Sequence, residues 1–411
     1  MNPGAAGGAP ARSGTAPPAG AAGEVFLAFL KLGLSAFGGP IAHLGYMRRE
    51  FVQRRAWLDE ARFAQLLAVC QFLPGPASSQ LGFAIGLVRG GWRGALAAFV
   101  AFTLPSVVLM FGFAALAPWL DGRLGSAIVH GLKLVAVVVV AHGLVGMARQ
   151  LAPDAPRILI AGGVFALVSL AGSAWTQLAA IALGGVLGAW LCGHVRMPPC
   201  AGFAVPYGHR ACLGFLALFL LGLCAALTVP ASQAPTPAGL AAAFYRAGAL
   251  VFGGGHVVLP LLQHGLVDTG WLDRETFLAG YGAAQAVPGP MFSLAAFLGG
   301  EVPLGLPAAA GALIAVAAVF LPGFLLLLAT LPVWARLSRH RWGASVVAGI
   351  NAAVVGLLAA AFHDPVWTEG VRAPVDMAVA ALGLAMLAFA RISSLWIVLW
   401  CVAASIATGW L

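Results

Sequence analysis

Two stretches of this chain carry side chains that could handle an anion. In the first, Gln71 lies just before Pro74-Gly75-Pro76, and Ser78, Ser79 and Gln80 follow. In the second, Gln285 precedes Pro288-Gly289-Pro290, and Ser293 follows. Amides and hydroxyls donate hydrogen bonds to oxyanion oxygens. A helix that restarts after such a break aims free N–H groups and partial positive charge at whatever lies in front of it. Basic residues also fall inside apolar stretches: Lys31, Lys133 and Arg246, with Arg391 in a tight gap between two of them. All 13 acidic residues fall in loops or at segment edges. Cation pumps and proton relays usually place Asp or Glu within the membrane, so this asymmetry predicts an anionic cargo. The chemistry is binding rather than bond-making. There is no HExxH, no P-loop lysine motif and no catalytic Cys-His arrangement. No cofactor is expected, and an ATP-driven pump is excluded because the chain holds no soluble nucleotide domain.

These residues must be held by elements that live in lipid. Of 411 residues, 61% are hydrophobic and only 9% charged, against about 25% charged in a soluble domain. The expected fold class is an all-α polytopic membrane protein. Apolar segments of spanning length recur from residue 25 to residue 410 with short loops between them, and no ten-residue alternation suggests a β-barrel. The net charge of +9 comes from basic residues scattered in loops. That pattern fits cytoplasmic loops rather than a nucleic-acid surface. Six cysteines show no CxxC pairing and sit mostly in apolar stretches, as packing residues do. Residues 1–23, dominated by Ala, Gly and Pro, are expected to form a disordered tail, without the apolar stretch of a secretory signal.

The chain repeats itself. "WLDEARFAQLLAVCQFLPGP" (57–76) and "WLDRETFLAGYGAAQAVPGP" (271–290) agree at 8 of 20 positions without a gap. "FLKLGLSAFGG" (29–39) answers "FYRAGALVFGG" (244–254), which pairs Lys31 with Arg246. "HGLKLVAVVV" (130–139) answers "AGINAAVVGL" (348–357), which pairs Lys133 with Asn351. Two transporter repeats follow, 24–192 and 242–411, joined by a 193–241 linker with one extra transmembrane helix. Equivalent loops carry opposite charge. Loop 48–62 is rich in Arg, while 264–276 is acidic; 149–157 is basic, while 363–376 is acidic. Basic loops face the cytoplasm, so the repeats should lie inverted relative to each other, an architecture common among secondary transporters.

Loops 48–62 and 89–93 are both basic, yet one apolar run of 26 residues separates them. Two full crossings need about 40 residues. The run should therefore dip in, turn at Pro74-Gly75-Pro76 and return. Proline interrupts the helix and glycine permits the turn. The second copy should enter from the opposite face. The Phe37-Gly38-Gly39-Pro40 and Phe252-Gly253-Gly254 stretches are expected to break their helices too, or to pack closely through glycine. Lys31 and Arg246 would face each other across a pseudo-twofold axis, or snorkel to an interface. His43, His256, His130 and His142 are either proton relays or hydrogen-bonded structural groups. Asn351 is a candidate for an interhelical hydrogen bond. Trp57-Leu58-Asp59 and Trp271-Leu272-Asp273 should each anchor at an interface and cap the next helix.

The motif "FLKLGLSAFGGPIAHLGYMRREFVQRRAWLDEARFAQLLAVCQFLPGPASSQLGFAIG", with its second copy "FGGGHVVLPLLQHGLVDTGWLDRETFLAGYGAAQAVPGP", closely resembles the chromate ion transporter family in its long, two-half form. The resemblance spans roughly residues 24–365. It implies a multi-pass protein of the bacterial inner membrane that exports chromate, confers resistance, and meets sulfate as a similar oxyanion. The family's FGGP and PGP motifs fall on Phe37–Pro40 and Pro74–Pro76, while Gly255 replaces the proline in the second half. Membrane lipid and a small oxyanion are the expected partners, nucleic acid is not, and a homodimer stays open. The alternatives are an uptake carrier for sulfate or another anion and, in a different class, a lipid flippase or intramembrane enzyme.

Overall fold

The computed structural model describes residues 21–37, 39–116, 122–171, 174–195, 203, 205–229, 234–252, 255–337, 341–390 and 392–409. Among them there are helices and no strands. The first half contains α1 (Ala21–Ser35), α2 (Gly39–Arg48), α3 (Glu60–Phe72), α4 (Ala77–Leu116), α5 (Gly122–Leu151), α6 (Ala155–Ala171) and α7 (Ala174–Leu191). The linker supplies α8 (His209–Thr228). The second half contains α9 (Pro237–Leu250), α10 (Val258–Leu266), α11 (Arg274–Ala284), α12 (Leu294–Glu301) and α13 (Ala308–Thr330). It continues with α14 (Trp334–Leu337), α15 (Arg341–Ala361), α16 (Thr368–Gly370), α17 (Pro374–Ala388) and α18 (Ser394–Gly409). Among the described residues, five helices are long and apolar enough to cross a membrane, and Leu, Val and Trp side chains line their exposed faces. The protein is an all-α polytopic membrane protein. Most of the expected tail lies outside the described residues, and α1 begins at Ala21, three residues inside the 1–23 tail. Ala21 and Ala22 are strong helix formers, and Glu24 suits a first turn.

The repeated tryptophan phrases fold alike because their local chemistry is the same. Asp59 accepts a hydrogen bond from the Arg62 N–H at 2.7 Å, and Asp273 accepts one from the Thr276 N–H at 2.8 Å. Each thus caps the helix that follows, an interaction worth about 1 kcal/mol. Both helices then run into Pro-Gly-Pro and stop. The chain beyond the first break returns to its starting face. Glu24 meets Arg55 at 3.5 Å and Arg89 at 2.9 Å. Both guanidiniums also lie over the Trp57 ring. Loops 48–62 and 89–93 therefore meet, as a re-entrant hairpin requires. α4 bends at Gly90 and Gly91, where φ is +60° at Gly91, a conformation suited to glycine. The bend divides α4 into a short arm, 77–89, and a long arm, 92–116.

Glycine brings the arms together. A Cβ at Gly86 would strike the Gly94 carbonyl, and a Cβ at Gly299 would strike Ala315 and the Gly311 carbonyl. Gly86–Gly94 in the first half and Gly299–Gly311 in the second are thus similar close approaches. α1 packs on α4 through Gly33, and α9 packs on α13 through Gly248. Such backbone contact is how helices associate where lipid removes the hydrophobic drive. Pro105 in α4 and Pro322 in α13 lie inside their helices near these contacts.

Candidate anion-binding cavity

The two breaks are tied to the opposite halves by reciprocal hydrogen bonds. The Gly75 N–H donates to the Val251 carbonyl at 2.7 Å, and the Gly289 N–H donates to the Ala36 carbonyl at 3.0 Å. Gly75 and Gly289 occupy the same repeat position, and so do Ala36 and Val251. Each carbonyl is freed because its helix, α1 or α9, has just ended. Both glycines have positive φ, +123° and +105°. A Cβ at Gly75 would lie 2.9 Å from the Gly323 Cα, and one at Gly289 would lie 3.0 Å from the Ser106 Oγ. Each tip therefore presses on the other half's proline-bearing helix.

A cavity of about 920 Å³ opens beside the first tip. Phe37, Gly39, Gln71, Gly75, Ala77 and Ser78 line one wall. Val139, His142 and Gly143 of α5 and Val347, Ala348 and Asn351 of α15 line others, with His256, Gln285, Ser393 and Ser394 completing it. Ala77 and Ser78 open α4, so first-turn N–H groups without intrahelical partners stand at this wall. Behind them, Gln80 is fully buried and donates from Nε2 to the Pro74 carbonyl at 3.0 Å and the Gly323 carbonyl at 2.8 Å. It fixes the break without lining the cavity. The Ser79 hydroxyl and the Asn351 Oδ1 are buried without a hydrogen-bond partner. His256 is held at Nδ1 by the Tyr281 hydroxyl, 2.7 Å away. Its ring lies so close to Gly143 that a Cβ there would be 2.7 Å from Cδ2. The Ser394 hydroxyl donates to the Gln285 carbonyl at 3.1 Å.

The cavity reaches Leu151, Arg157, Val195, Trp334 and Ala344 at one end. There Arg157 and His194 both bind Asp154. The Arg157 hydrogen bond, outweighing the opposite pull of burial, holds the Asp154 carboxyl well below the usual carboxylate range. The other end is shut. α11 lies on α5, where a Cβ at Gly282 would collide with the Leu132 carbonyl. Lys133, fully buried, brings Nζ to 2.8 Å from Glu275 Oε1, without the geometry of a hydrogen bond. Arg274 reaches Asp364 at 3.2 Å.

Of the residues singled out in the sequence, Phe37, Gly39, Gln71, Gly75, Ser78 and Gln285 come together at this cavity. Pro74, Pro76 and Gln80 frame it without lining it. Pro288, Gly289 and Pro290 are buried away from it, with Gly289 against α4. Lys31 is exposed on α1 and Arg246 is half-buried on α9; neither lines the cavity. The Arg246 Nη1 donates to the Ala226 carbonyl at 3.2 Å, and its side chain lines a separate pocket of about 190 Å³ with Gln177, His264 and Thr269. Gly38, Gly253 and Gly254 lie outside the described residues, as does the Pro40 side chain. Tyr281, Ser393 and Ser394 carry no motif in the sequence, and Arg157 stands out there only as a charge of the basic 149–157 loop. The adjacent serines before the last apolar span were the available signal.

The chromate transporter family profile matches residues 23–189 and again 238–408. The chain belongs to the chromate transporter family. A probable chromate transport protein of Synechococcus elongatus is 32% identical over 339 residues, 81% of each chain. The chromate transport protein of Pseudomonas aeruginosa is 30% identical over 94% of this chain and 92% of its own length. That of Cupriavidus metallidurans is 28% identical over 89% and 86%. No solved structure matches. Family membership makes this a transporter, and among the described residues no cluster of metal-ligating side chains occurs.

Proposed function

We propose that the protein moves chromate from the cytoplasm outward across a bacterial inner membrane by alternating access, and so confers resistance. The observation that carries this reading is the cavity that begins at the restarted helix of α4, opens toward one face and is shut at the other. The relatives named as chromate transport proteins supply the cargo. The open end is marked by Arg157 and Trp334, and the sequence around it is basic at Arg149, Arg157 and Arg336. Basic loops stay in the cytoplasm, so the cavity faces the cytoplasm and collects cargo there. Inverted repeats would let a matching cavity form on the other side.

The oxyanion is placed against the first turn of α4, with Gln71, Ser78 and Gln285 as side-chain donors and Gly75 giving the close backbone approach. Helix N-termini and amides suit an anion that must be released again. Lys31 and Arg246 act as interfacial anchors on this reading rather than as direct ligands. Outward movement of a dianion gains about 4.6 kcal/mol per 100 mV in a negative-inside cell. Export therefore needs no intramembrane carboxylate. The test is chromate uptake into inverted vesicles with the membrane potential and proton gradient set separately. Chromate should enter faster when the vesicle interior is positive, and more readily than sulfate. Chromate leaving the vesicles under that potential, or sulfate moving in its place, would favour an anion uptake carrier and defeat the proposal.

A further inference from the structure

The shut end and the open end are built from repeat-equivalent helices, α11 on α5 and α3 facing α15. They differ in one chemical respect. Lys133 aligns with Asn351, and Glu275, at the same offset that relates the two tryptophan phrases, aligns with Ala61. The shut end can form an ion pair and does, with Lys133 Nζ 2.8 Å from Glu275 Oε1. The other end, once shut, would have only an amide opposite a methyl group. We propose that Lys133 and Glu275 form a latch present at the outer gate alone, which makes the empty transporter rest open to the cytoplasm. This deepens the transport reading and rests on it.

Burial makes the pair a latch. Lys133 is 0% exposed, while Glu275 keeps 53% of its side chain in solvent. A buried amine that loses its carboxylate is left as an uncompensated charge, and breaking such a pair is far costlier than never having made it. α11 cannot leave α5 without parting Glu275 from the buried Lys133 amine. With α11 seated, Gly282 fits against Leu132 and Ala279 is buried one turn away on the same face. The counterpart of Gly282 is Ala68, which lines the open cavity, as Asn351 does. The same register therefore stands ready at the cytoplasmic end without a charge to hold it. A cargo anion arriving behind α11 meets an amine already deprived of water, and it competes with Glu275 for that amine.

Two substitutions should loosen the outer gate to different extents. Glu275→Gln strands the buried amine and should destabilise the shut outer gate. Lys133→Met removes the ion pair but strands no charge, and should loosen that gate less. Ala279→Cys reports the outer gate and Val347→Cys reports the cavity, each read by mass spectrometry at its own peptide after labelling with a membrane-impermeant thiol reagent from a defined side. With Glu275→Gln, labelling of Ala279→Cys from outside should rise by about tenfold or more. Labelling of Val347→Cys from the cytoplasmic side should fall. With Lys133→Met, labelling of Ala279→Cys from outside should rise above that with Lys133 in place, but less than with Glu275→Gln. Equal labelling in the two variants overturns the latch. Chromate flux of the unsubstituted chain in the same vesicles keeps the two proposals apart. Absent flux sinks the transport reading, while normal flux with unshifted labelling sinks the latch alone.

Discussion

The two Pro-Gly-Pro tips have nearly the same backbone and very different surroundings. Gly75 and Gly289 share a positive φ and donate to matched carbonyls of the opposite half. Yet Gly75 lines a large cavity, while Gly289 is buried against Ser106. The difference lies in the helix leading to each tip. α11 is seated on α5, and α3 stands across open space from α15. One local design thus appears in two tertiary settings. In a duplicated transporter that is what a site exposed to one side at a time demands, since identical packing at both ends would leave the path open or shut throughout.

The comparison breaks most sharply at the glycines. Gly75→Ala forces a side chain into a left-handed backbone and onto the Gly323 backbone, where nothing can rotate aside. Chromate flux per inserted molecule should fall by more than about tenfold. Gly289→Ala meets the same left-handed backbone, but its nearest neighbours, the Ser106 Oγ and Cβ and the Phe102 carbonyl, lie at 3.0, 3.1 and 3.2 Å, so it should lose less. Equal losses at both positions would mean that the two tips play the same part in this state.

The amides sharpen the same contrast at smaller scale. Gln71 is exposed to the cavity, while Gln285 is buried, with its Nε2 on the Met291 sulfur at 3.2 Å. A hydrogen bond to a charged group contributes about 1.5–3 kcal/mol. Gln71→Ala should therefore raise the chromate concentration for half-maximal transport by about tenfold or more, with the maximal rate less affected. Gln285→Ala should lower the maximal rate as well, because that side chain also packs the α11 end.

The smallest effect belongs to the rim. The Asp154 carboxyl titrates lower in the folded protein than in the unfolded chain, chiefly through Arg157. Its stabilisation is complete above the unfolded carboxylate range near pH 4. It is lost as pH falls toward the lowered folded value. Asp154→Asn should lower the melting temperature slightly near neutrality, and the gap to the unsubstituted protein should close on acidification. The side chain is 29% exposed, so solvent screening keeps the effect small.

Much of this was legible in the residues. Asp59 and Asp273 cap their helices, the Pro-Gly-Pro phrases end them, and Arg55 and Arg89 return to one face, all from local chemistry that a sequence displays. The lateral direction of Lys31 and Arg246 was not legible. Spacing along a helix gives depth in the membrane, whereas the direction a side chain points depends on which neighbour claims each face. Arg246 turns toward α8, which has no counterpart in the repeat. Ser393 and Ser394 lie outside the matched phrases of the two repeats, so the repetition does not single them out. Nor could a duplicated sequence say which of its two ends is shut.

The most direct test of the account uses Ala61→Cys with Asn351→Cys, the counterparts of Glu275 and Lys133, bridged by a short cleavable thiol cross-linker. The bridge should form while chromate is being transported, export should stop when it is complete, and cleavage should restore it. Full cross-linking with undiminished chromate flux, or no cross-link during sustained transport, would contradict the alternating closure of the two ends.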